Sequence, residues 1–185
     1  MLKKVVFLDR DGTINQDSPD YIKSREEFEF LSGSLKAIEA LTANGFTNIV
    51  ITNQSALPRK LISRAELEHI HAMMLKKVRS NAGEIKDIFY CPHMPDDECD
   101  CRKPAPGLIL QAQSKYSIDL ADAVMVGDSY RDIECGHNAG CGNTVFVKTG
   151  IHTNAAQRLA EKGIVPDFAG KDLHEAVKWI IANKK

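Results

Sequence analysis

The sequence predicts an α/β fold built on a mainly parallel sheet, and three observations lead to that prediction. Short apolar runs alternate along the chain with segments whose apolar residues recur at helical spacing, which is typical of repeated strand–helix units. Polar residues suited to chemistry follow several of the apolar runs, as they do at the carboxyl edge of such a sheet. The length of 185 residues has room for about five such units. We therefore expect residues 1–185 to form a single domain.

Each predicted element rests on a local signal. Gly45 is a natural stop for the first helix, and the S-x-x-E pattern of Ser63 and Glu66 predicts the start of the second. His69 and His71 point apart on that second helix, which favours surface or core positions over a joint metal site. The predicted strands are 3–8, 46–51, 85–90, 123–126 and 144–147, and the predicted helices are 34–44, the segment after residue 63, 106–116, 130–139, 154–161 and 173–182.

Composition narrows the class of protein. Hydrophobic residues make up 43% and charged residues 26%, which is ordinary for a globular protein with a full core. The formal net charge of -1 predicts no basic surface for nucleic acid. No apolar stretch approaches the ~18–20 residues of a membrane span, and the apolar run that ends at Asp9 is too short for a signal peptide. We therefore expect a cytoplasmic protein with no nucleic-acid or membrane partner.

Two acidic segments lie at the ends of predicted strands. Asp9 and Asp11 follow the first strand, and Gly12 allows the turn that lets both face one pocket. Asp128 and Asp132 follow the fourth predicted strand. Since the carboxyl ends of parallel strands meet at one edge, these carboxylates should converge, and their mutual repulsion calls for a hard cation such as Mg²⁺. Any one of them taken alone is as well explained as the cap of a turn or helix.

A second candidate metal site lies in residues 91–101, which read C-x-H-x5-C-x-C. The four ligands are Cys91, His93, Cys99 and Cys101. Three thiolates and one imidazole form a complete tetrahedral set for Zn²⁺ with no open position, which is typical of a structural site. The alternative is a group of small buried cysteines beside a surface histidine. The odd count of five cysteines argues against a disulfide framework.

Four motifs taken together resemble a known superfamily. DRDGT at 9–13, TN at 52–53, RK at 102–103 and GDSYRD at 127–132 match the haloacid dehalogenase (HAD) superfamily of phosphohydrolases in order and roughly in spacing. The resemblance implies a three-layer Rossmann-like fold with a mainly parallel sheet. It also implies a Mg²⁺-dependent phosphatase that works through an aspartyl-phosphate, which splits a hard hydrolysis into two steps.

The resemblance implies a role for each matching residue. Asp9 would be the nucleophile, and Asp11 would protonate the leaving oxygen and then activate water. Thr52, directly after a predicted strand, and Lys103 would bind the phosphoryl oxygens and stabilise the transition state.

The resemblance also implies the metal ligands. Mg²⁺ would be held by Asp9, by Asp128 and by the carbonyl of Asp11, whereas Asp132 would orient Lys103 or the metal shell. Structural Zn²⁺ in the cysteine loop would fix the segment that delivers residues 102–103 to the phosphate.

The cysteine loop narrows the resemblance. With YCPH at 90–93 and CDCRKPAPG at 99–107, nearly the whole chain is similar to the histidinol-phosphatase-like branch, which has little or no cap domain. Within that branch it resembles the phosphatases of D-glycero-D-manno-heptose 1,7-bisphosphate. That implies removal of the C7 phosphate in nucleotide-activated heptose biosynthesis, which serves lipopolysaccharide. The alternative is a phosphatase of histidinol phosphate or of another small phosphosugar.

The same resemblance implies a monomer with a small phosphorylated sugar as its partner. The implied substrate contacts are Asp17, Tyr21, Asn53, Gln54, Ser55 and Arg102. Arg102 suits a bisphosphate, because a guanidinium binds a second phosphate bidentately. The chain departs from the branch at 52–60, where TNQSALPRK replaces TNQSGIARG. Ala56 and Pro58 stiffen the loop that shapes the sugar pocket, so this departure bears on substrate preference.

Overall fold

The computed structural model describes residues 1–151 and 153–184, and its framework is a six-stranded parallel sheet between two layers of helices. The strands are β1 (Val5–Leu8), β2 (Thr47–Asn53), β3 (Asp87–Cys91), β4 (Val124–Gly127), β5 (Asn143–Val147) and β6 (Phe168–Gly170). The helices are α1 (Ser34–Ala43), α2 (Arg64–Arg79), α3 (Gly107–Tyr116), α4 (Tyr130–Ala139), α5 (Ala155–Glu161) and α6 (Leu173–Asn183), and a 3₁₀ turn spans Leu120–Asp122.

The strand order is β3-β2-β1-β4-β5-β6, and every pairing in it is parallel. The chain builds the sheet outward from β1 to β3, then returns to the other side of β1 and builds outward again from β4 to β6. The order therefore reverses between β1 and β4. In open sheets of this kind the loops diverge beyond the carboxyl ends at such a point, which leaves a crevice for a ligand.

Alternation of side chains along β1 explains the two layers. Val6 and Leu8 face the core formed with α1, α2 and α6, whereas Val5 and Phe7 face the core formed with α3 and α4. All four are fully buried, as expected for a central strand that is covered on both faces. The predicted α/β fold with a parallel sheet is confirmed.

The predicted boundaries agree with the structure to within a few residues, with two omissions. The Ser63 hydroxyl accepts a hydrogen bond from the Glu66 amide (3.1 Å), so the predicted start of α2 is confirmed. The sequence reading missed the 3₁₀ turn and β6, because three residues at a sheet edge are too few to show strand periodicity. Thr52 and Cys91 lie within the last two residues of β2 and β3, not beyond them.

Within 1–151 and 153–184, no helix combines the length and the apolar character needed to cross a membrane.

Candidate active site

A cleft of about 230 Å³ opens at the carboxyl ends of the central strands. It is lined by every residue for which the sequence predicted a catalytic or substrate-binding role: Asp9, Asp11, Asp17, Tyr21, Thr52, Asn53, Gln54, Ser55, Arg102 and Lys103. Asp128 and Asp132 line it as well. The fold therefore brings together side chains from four separate segments, at the point where the strand order reverses.

Lys103 is the centre of charge in this cleft. Its Nζ lies 2.8 Å from Asp9 Oδ1, contacts Asp132 Oδ1 and donates to the carbonyl of Ile51 (2.9 Å). The side chain is 3% exposed, so these contacts form almost without water. The second carboxylate oxygen of Asp132 accepts from the Ser129 amide (2.9 Å), which completes a capping box at the start of α4. Helix α4 thus fixes Asp132, and Asp132 contacts Lys103, which is compatible with the prediction that it orients Lys103 or the metal shell.

The electrostatics of the cleft are those of crowded carboxylates. Burial and the charge of Asp132 raise the pKa of Asp9 to about 7, although Lys103 opposes the change. Burial, Asp132 and Asp9 raise the pKa of Asp128 to about 9. Burial lowers the pKa of Lys103, but the charges of Asp132 and Asp9 outweigh it and hold that pKa above its ordinary value. Because several carboxylates surround a single lysine, their negative charge is only partly neutralised. A bound cation would offset the remainder.

The acidic cluster fits a hard divalent cation. One carboxylate oxygen from each of Asp9, Asp128 and Asp132 lies within 4.8 Å of the others, and oxygen donors are the ligands that Mg²⁺ prefers. The carboxylate of Asp11 is not part of this cluster. It is turned toward Arg10, which agrees with the prediction that Asp11 would contribute its backbone carbonyl and not its carboxylate.

Close approach of the backbone makes space for Asp128. Gly12 has φ +80, and a Cβ added to it would lie 2.6 Å from the Asp128 carboxylate. A Cβ on Gly150 would lie 1.7 Å from Asp128 Oδ2. A side chain at either position would displace the carboxylate, so both glycines are required by the site. Gly12 was anticipated from the turn after β1, whereas no local signal pointed to Gly150.

The end of β2 supplies a network of polar side chains. Gln54 Nε2 donates to Thr52 Oγ1 (2.9 Å) and to Asp11 Oδ2 (3.1 Å). The side-chain nitrogen of Asn53, Nδ2, donates to the backbone carbonyl of Lys103 (3.2 Å). Its side-chain oxygen, Oδ1, accepts from the backbone N–H of Lys103 (3.0 Å). Asn53 therefore fixes the backbone that carries Lys103, while Gln54 links Thr52 to Asp11.

Arginines form the outer part of the cleft. Arg102 Nη1 donates to Ser55 Oγ (2.8 Å) and to the carbonyl of His93 (3.1 Å), which anchors the guanidinium to the cleft wall. Arg59 and Arg131 also line the cleft, and the Arg59 guanidinium lies 5.8 Å from the centre of the Tyr21 ring. The sequence reading missed Arg59 and Arg131. Arg131 lies within the GDSYRD motif, which was the one signal that pointed to it.

The predicted zinc ligands converge on one point. The sulfur atoms of Cys91, Cys99 and Cys101 are 3.3, 3.6 and 3.7 Å apart in pairs, and His93 Nδ1 lies 3.5 Å from Cys91 Sγ and 3.2 Å from Cys101 Sγ. A regular tetrahedron with a Zn–S distance of ~2.3 Å has edges of about 3.8 Å, so the spacing fits tetrahedral Zn²⁺. It is far longer than a disulfide bond of ~2.05 Å.

The cysteine cluster adjoins the cleft through the chain itself. Cys101 directly precedes Arg102 and Lys103, and the His93 carbonyl accepts from Arg102. Burial raises the pKa of Cys91 and Cys101, whereas hydrogen bonds from Cys101 and from the Arg102 backbone outweigh burial and lower the pKa of Cys99 to about 7. Without a metal the three thiols therefore differ in pKa. Binding of Zn²⁺ by all four ligands requires that each of the three thiols lose its proton.

Comparison with known proteins identifies the family. The profile of the HAD-hydrolase-like family matches residues 100–176. A D-glycero-beta-D-manno-heptose-1,7-bisphosphate 7-phosphatase of Bordetella bronchiseptica is 44% identical over 161 residues, which cover 87% of this chain and 88% of that protein. The relative of the same name in Pseudomonas aeruginosa is 45% identical over 150 residues, which cover 81% of this chain and 84% of that protein.

Solved structures agree with the sequence relatives. The crystal structure of the D,D-heptose 1,7-bisphosphate phosphatase of B. bronchiseptica, complexed with magnesium and phosphate, matches with a TM-score of 0.88 and 40% identity. The match covers 97% of this chain and 98% of that one. The structural match extends over nearly the whole chain, and the sequence matches cover more than four fifths of it. The chain therefore belongs to the HAD-hydrolase-like family, in the group of the heptose 1,7-bisphosphate 7-phosphatases.

Proposed function

We propose that this chain is a Mg²⁺-dependent phosphatase that removes the C7 phosphate of D-glycero-D-manno-heptose 1,7-bisphosphate. The observation that carries the proposal is the buried Lys103, held between Asp9 and Asp132 beside Asp128 where β1 and β4 end. The names of relatives that match over most of the chain support the same substrate here. Nucleotide-activated heptose biosynthesis, and through it lipopolysaccharide, is the pathway that this activity would serve.

Asp9 is the proposed nucleophile that attacks phosphorus. Its Oδ1 accepts hydrogen bonds from the Arg10 amide (2.6 Å) and from Lys103 Nζ (2.8 Å), so the carboxylate has a fixed orientation. As its oxygen bonds to phosphorus, the bond from phosphorus to the sugar oxygen breaks, and Asp11 delivers a proton to that oxygen. Mg²⁺ held by Asp9, Asp128 and the Asp11 carbonyl, with Asp132 adjacent, would offset the repulsion between phosphate and carboxylates.

Thr52 and Lys103 hold the phosphoryl group. Thr52 is buried, and its oxygen accepts from Gln54, which leaves the hydroxyl proton available for a phosphoryl oxygen. Lys103 supplies positive charge beside Asp9, where negative charge accumulates in the transition state. Because both groups are almost fully buried, their interactions with the phosphoryl oxygens are little weakened by water.

The outer cleft suits the rest of a sugar bisphosphate. Asp17, Tyr21, Asn53, Gln54 and Ser55 line its wall and are the proposed contacts to the sugar. Arg102 is anchored through one nitrogen, and a guanidinium at this position can bind the second phosphate bidentately.

We propose Zn²⁺ for the site formed by Cys91, His93, Cys99 and Cys101. Its function is structural, because four protein ligands leave no position for a reacting water. The ion would fix the loop from 91 to 101 and, through the next two residues, the guanidinium and ammonium groups of the cleft. The short spacings among the four ligand atoms support this assignment.

We infer that residues 1–185 act as one domain and as a monomer in the cytoplasm. All six strands in the described residues belong to one sheet, and every residue with a proposed catalytic or substrate-binding role lines one cleft. These features support a single phosphatase domain without a separate cap within this sequence.

The test is phosphate release by the purified protein with Mg²⁺, using heptose 1,7-bisphosphate and histidinol phosphate at matched concentrations. Both anomers of the heptose are included, because relatives named for each anomer match this chain. We expect a strong preference for the heptose bisphosphate. Equal or greater turnover of histidinol phosphate would contradict the proposed substrate, and turnover of neither would contradict the proposed activity.

A further inference from the structure

The side chains of Arg10 and His71 form a buried pair that the proposed mechanism does not use. Arg10 is 1% exposed although it lies between two carboxylates in sequence, and His71 on α2 is 8% exposed. Arg10 Nη1 lies 3.2 Å from His71 Nε2. A guanidinium only donates hydrogen bonds, so His71 Nε2 must accept and its proton must be on Nδ1. Burial and the charge of Arg10 lower the pKa of His71 to about 3, which keeps the ring neutral and able to accept.

The opposite edge of the Arg10 guanidinium holds Asp11. Arg10 Nε donates to Asp11 Oδ1 (3.0 Å), and Nη2 lies 2.8 Å from both oxygens of that carboxylate. Asn15 donates to Oδ1 (2.9 Å), and Gln54 donates to Oδ2 (3.1 Å). Donors from three side chains thus surround the carboxylate, which is 21% exposed and borders the cleft.

We propose that Arg10 and His71 are positioning residues that fix the Asp11 carboxylate for hydrolysis of the phosphorylated Asp9. The inference rests on the proposed function and deepens it. In this step the water oxygen bonds to phosphorus while the bond from phosphorus to the Asp9 oxygen breaks. Asp11 takes one proton of the water, Asp9 leaves as a carboxylate with the electron pair, and phosphate carries away the remaining hydroxyl.

The hydrogen bonds to the Asp11 carboxylate suit hydrolysis of the phosphorylated Asp9 better than the earlier transfer of the phosphoryl group to Asp9. Every bond that Arg10, Asn15 and Gln54 make with Asp11 has the carboxylate as acceptor. This is the arrangement of a group that receives a proton from water, whereas delivering a proton to the sugar oxygen requires the carboxyl to donate. His71 contributes by accepting from Nη1, because otherwise a buried N–H would lack a partner and the guanidinium would turn toward one.

The experiment compares His71→Leu with His71→Gln. Glutamine places its Oε1 where the histidine has Nε2, so it keeps the acceptor for Arg10, whereas leucine removes it. We expect His71→Leu to lower kcat about tenfold and KM in parallel, so that kcat/KM stays near the wild-type value, and to raise the steady-state fraction of protein phosphorylated on Asp9. His71→Gln should keep kcat and the phosphorylated fraction near the wild-type values. The fraction is measured by acid quenching during turnover of heptose 1,7-bisphosphate.

Two further variants separate the proposed effect from a general loss of stability. Ile70→Val removes a buried methyl group from the same helix and leaves Arg10 and His71 themselves unchanged, so it should lower Tm and leave the phosphorylated fraction unchanged. His71→Asn, whose amide is too short to reach Arg10, should reproduce the leucine result and takes its place if leucine prevents folding. Wild-type kcat and phosphorylated fraction in the leucine or asparagine variant would overturn the inference, as would equal impairment in glutamine. A wild-type protein that releases no phosphate would overturn the proposed function itself.

Discussion

The carboxylate–lysine centre and the cysteine–histidine cluster are neighbouring sites with opposite designs. In the first, Asp9, Asp128 and Asp132 crowd around one lysine, and the pKa of Asp9 and of Asp128 is raised to about 7 and about 9. In the second, four ligand atoms approach one another at the spacing of a tetrahedron, and none of the four residues lines the active-site cleft. The first site is open and electrostatically unfavourable, whereas the second is closed.

The difference indicates a catalytic role for the first site and a structural role for the second. An open site with excess negative charge gains most when a cation and a phosphate arrive together, which suits catalysis. A closed site gains its free energy when the metal binds and the chain folds, which suits a structural role. The two meet at residues 101–103, where a cysteine of the closed site directly precedes the arginine and lysine of the open one.

The largest effect is expected for Asp9→Asn in the open site. The amide keeps the size of the side chain but is a poor nucleophile, so kcat should fall by about 10³-fold or more. The measurement is phosphate release with saturating Mg²⁺. Asp20→Asn, an exposed aspartate outside the cleft, serves as the matched control and should retain wild-type turnover. An Asp9→Asn protein that turns over normally would refute the role of Asp9.

The closed site should respond differently when one ligand is removed. Cys101→Ser weakens the proposed Zn²⁺ site, so we expect loss of bound zinc and a fall in Tm of about 10 °C. Turnover should also fall, because the mutated residue precedes Arg102 and Lys103. Zinc content, thermal melts and turnover are measured together. Cys141→Ser, which lies outside the cluster, is the control and should leave zinc content unchanged. Retention of zinc by Cys101→Ser would contradict the assignment.

Arg102→Ala probes the link between the two sites. Loss of the guanidinium removes a proposed contact to the second phosphate and the bonds to Ser55 and His93. We expect KM for heptose 1,7-bisphosphate to rise about tenfold, with a smaller effect on a sugar that carries one phosphate. Steady-state kinetics with both substrates provide the comparison. An equal rise in KM for the two substrates would show that Arg102 does not recognise the second phosphate.

The smallest effect concerns the pH dependence of the metal-free open site. Asp9 and Asp128 have folded-state pKa values of about 7 and about 9, above the ordinary value of 3.8. At a pH between 3.8 and the folded-state pKa of each group, the folded protein binds more protons than the unfolded chain. The free energy of unfolding therefore decreases as pH rises. We expect Tm to fall by about 5 °C from pH 6.5 to pH 9 without Mg²⁺, and less with saturating Mg²⁺; the range begins above the ordinary pKa of histidine because the lowered pKa of His71 acts in the opposite direction below it. A Tm that rises over this range would contradict the electrostatic account.

The sequence was sufficient for features whose parts lie close together in the chain. All four ligands of the cysteine cluster fall within residues 91–101, so the spacing alone suggested the site. The acidic residues at the ends of β1 and β4 were predicted to converge because parallel strands share one edge. The cleft then contained every predicted substrate-binding residue.

Features that depend on distant pairs were not predictable. Arg10 and His71 are separated by 61 residues, and the histidine fits the buried stripe of an ordinary amphipathic helix. The turn of the Asp11 carboxylate toward Arg10 has no local signature either, since both neighbours of Arg10 are aspartates. Gly150 is needed only because the chain returns to within contact of Asp128 after β5. Such contacts follow from tertiary packing, which periodicity and motifs do not report.

The central claim is that Asp9 carries the phosphoryl group during turnover. It is tested most directly by mixing the protein with Mg²⁺ and heptose 1,7-bisphosphate, quenching in acid within the first turnovers and mapping the phosphorylated residue by mass spectrometry. We predict the added mass of one phosphoryl group on the peptide that contains Asp9, and its absence in Asp9→Asn. Phosphate release without a phosphorylated Asp9, or with the phosphoryl group on another residue, would contradict the account.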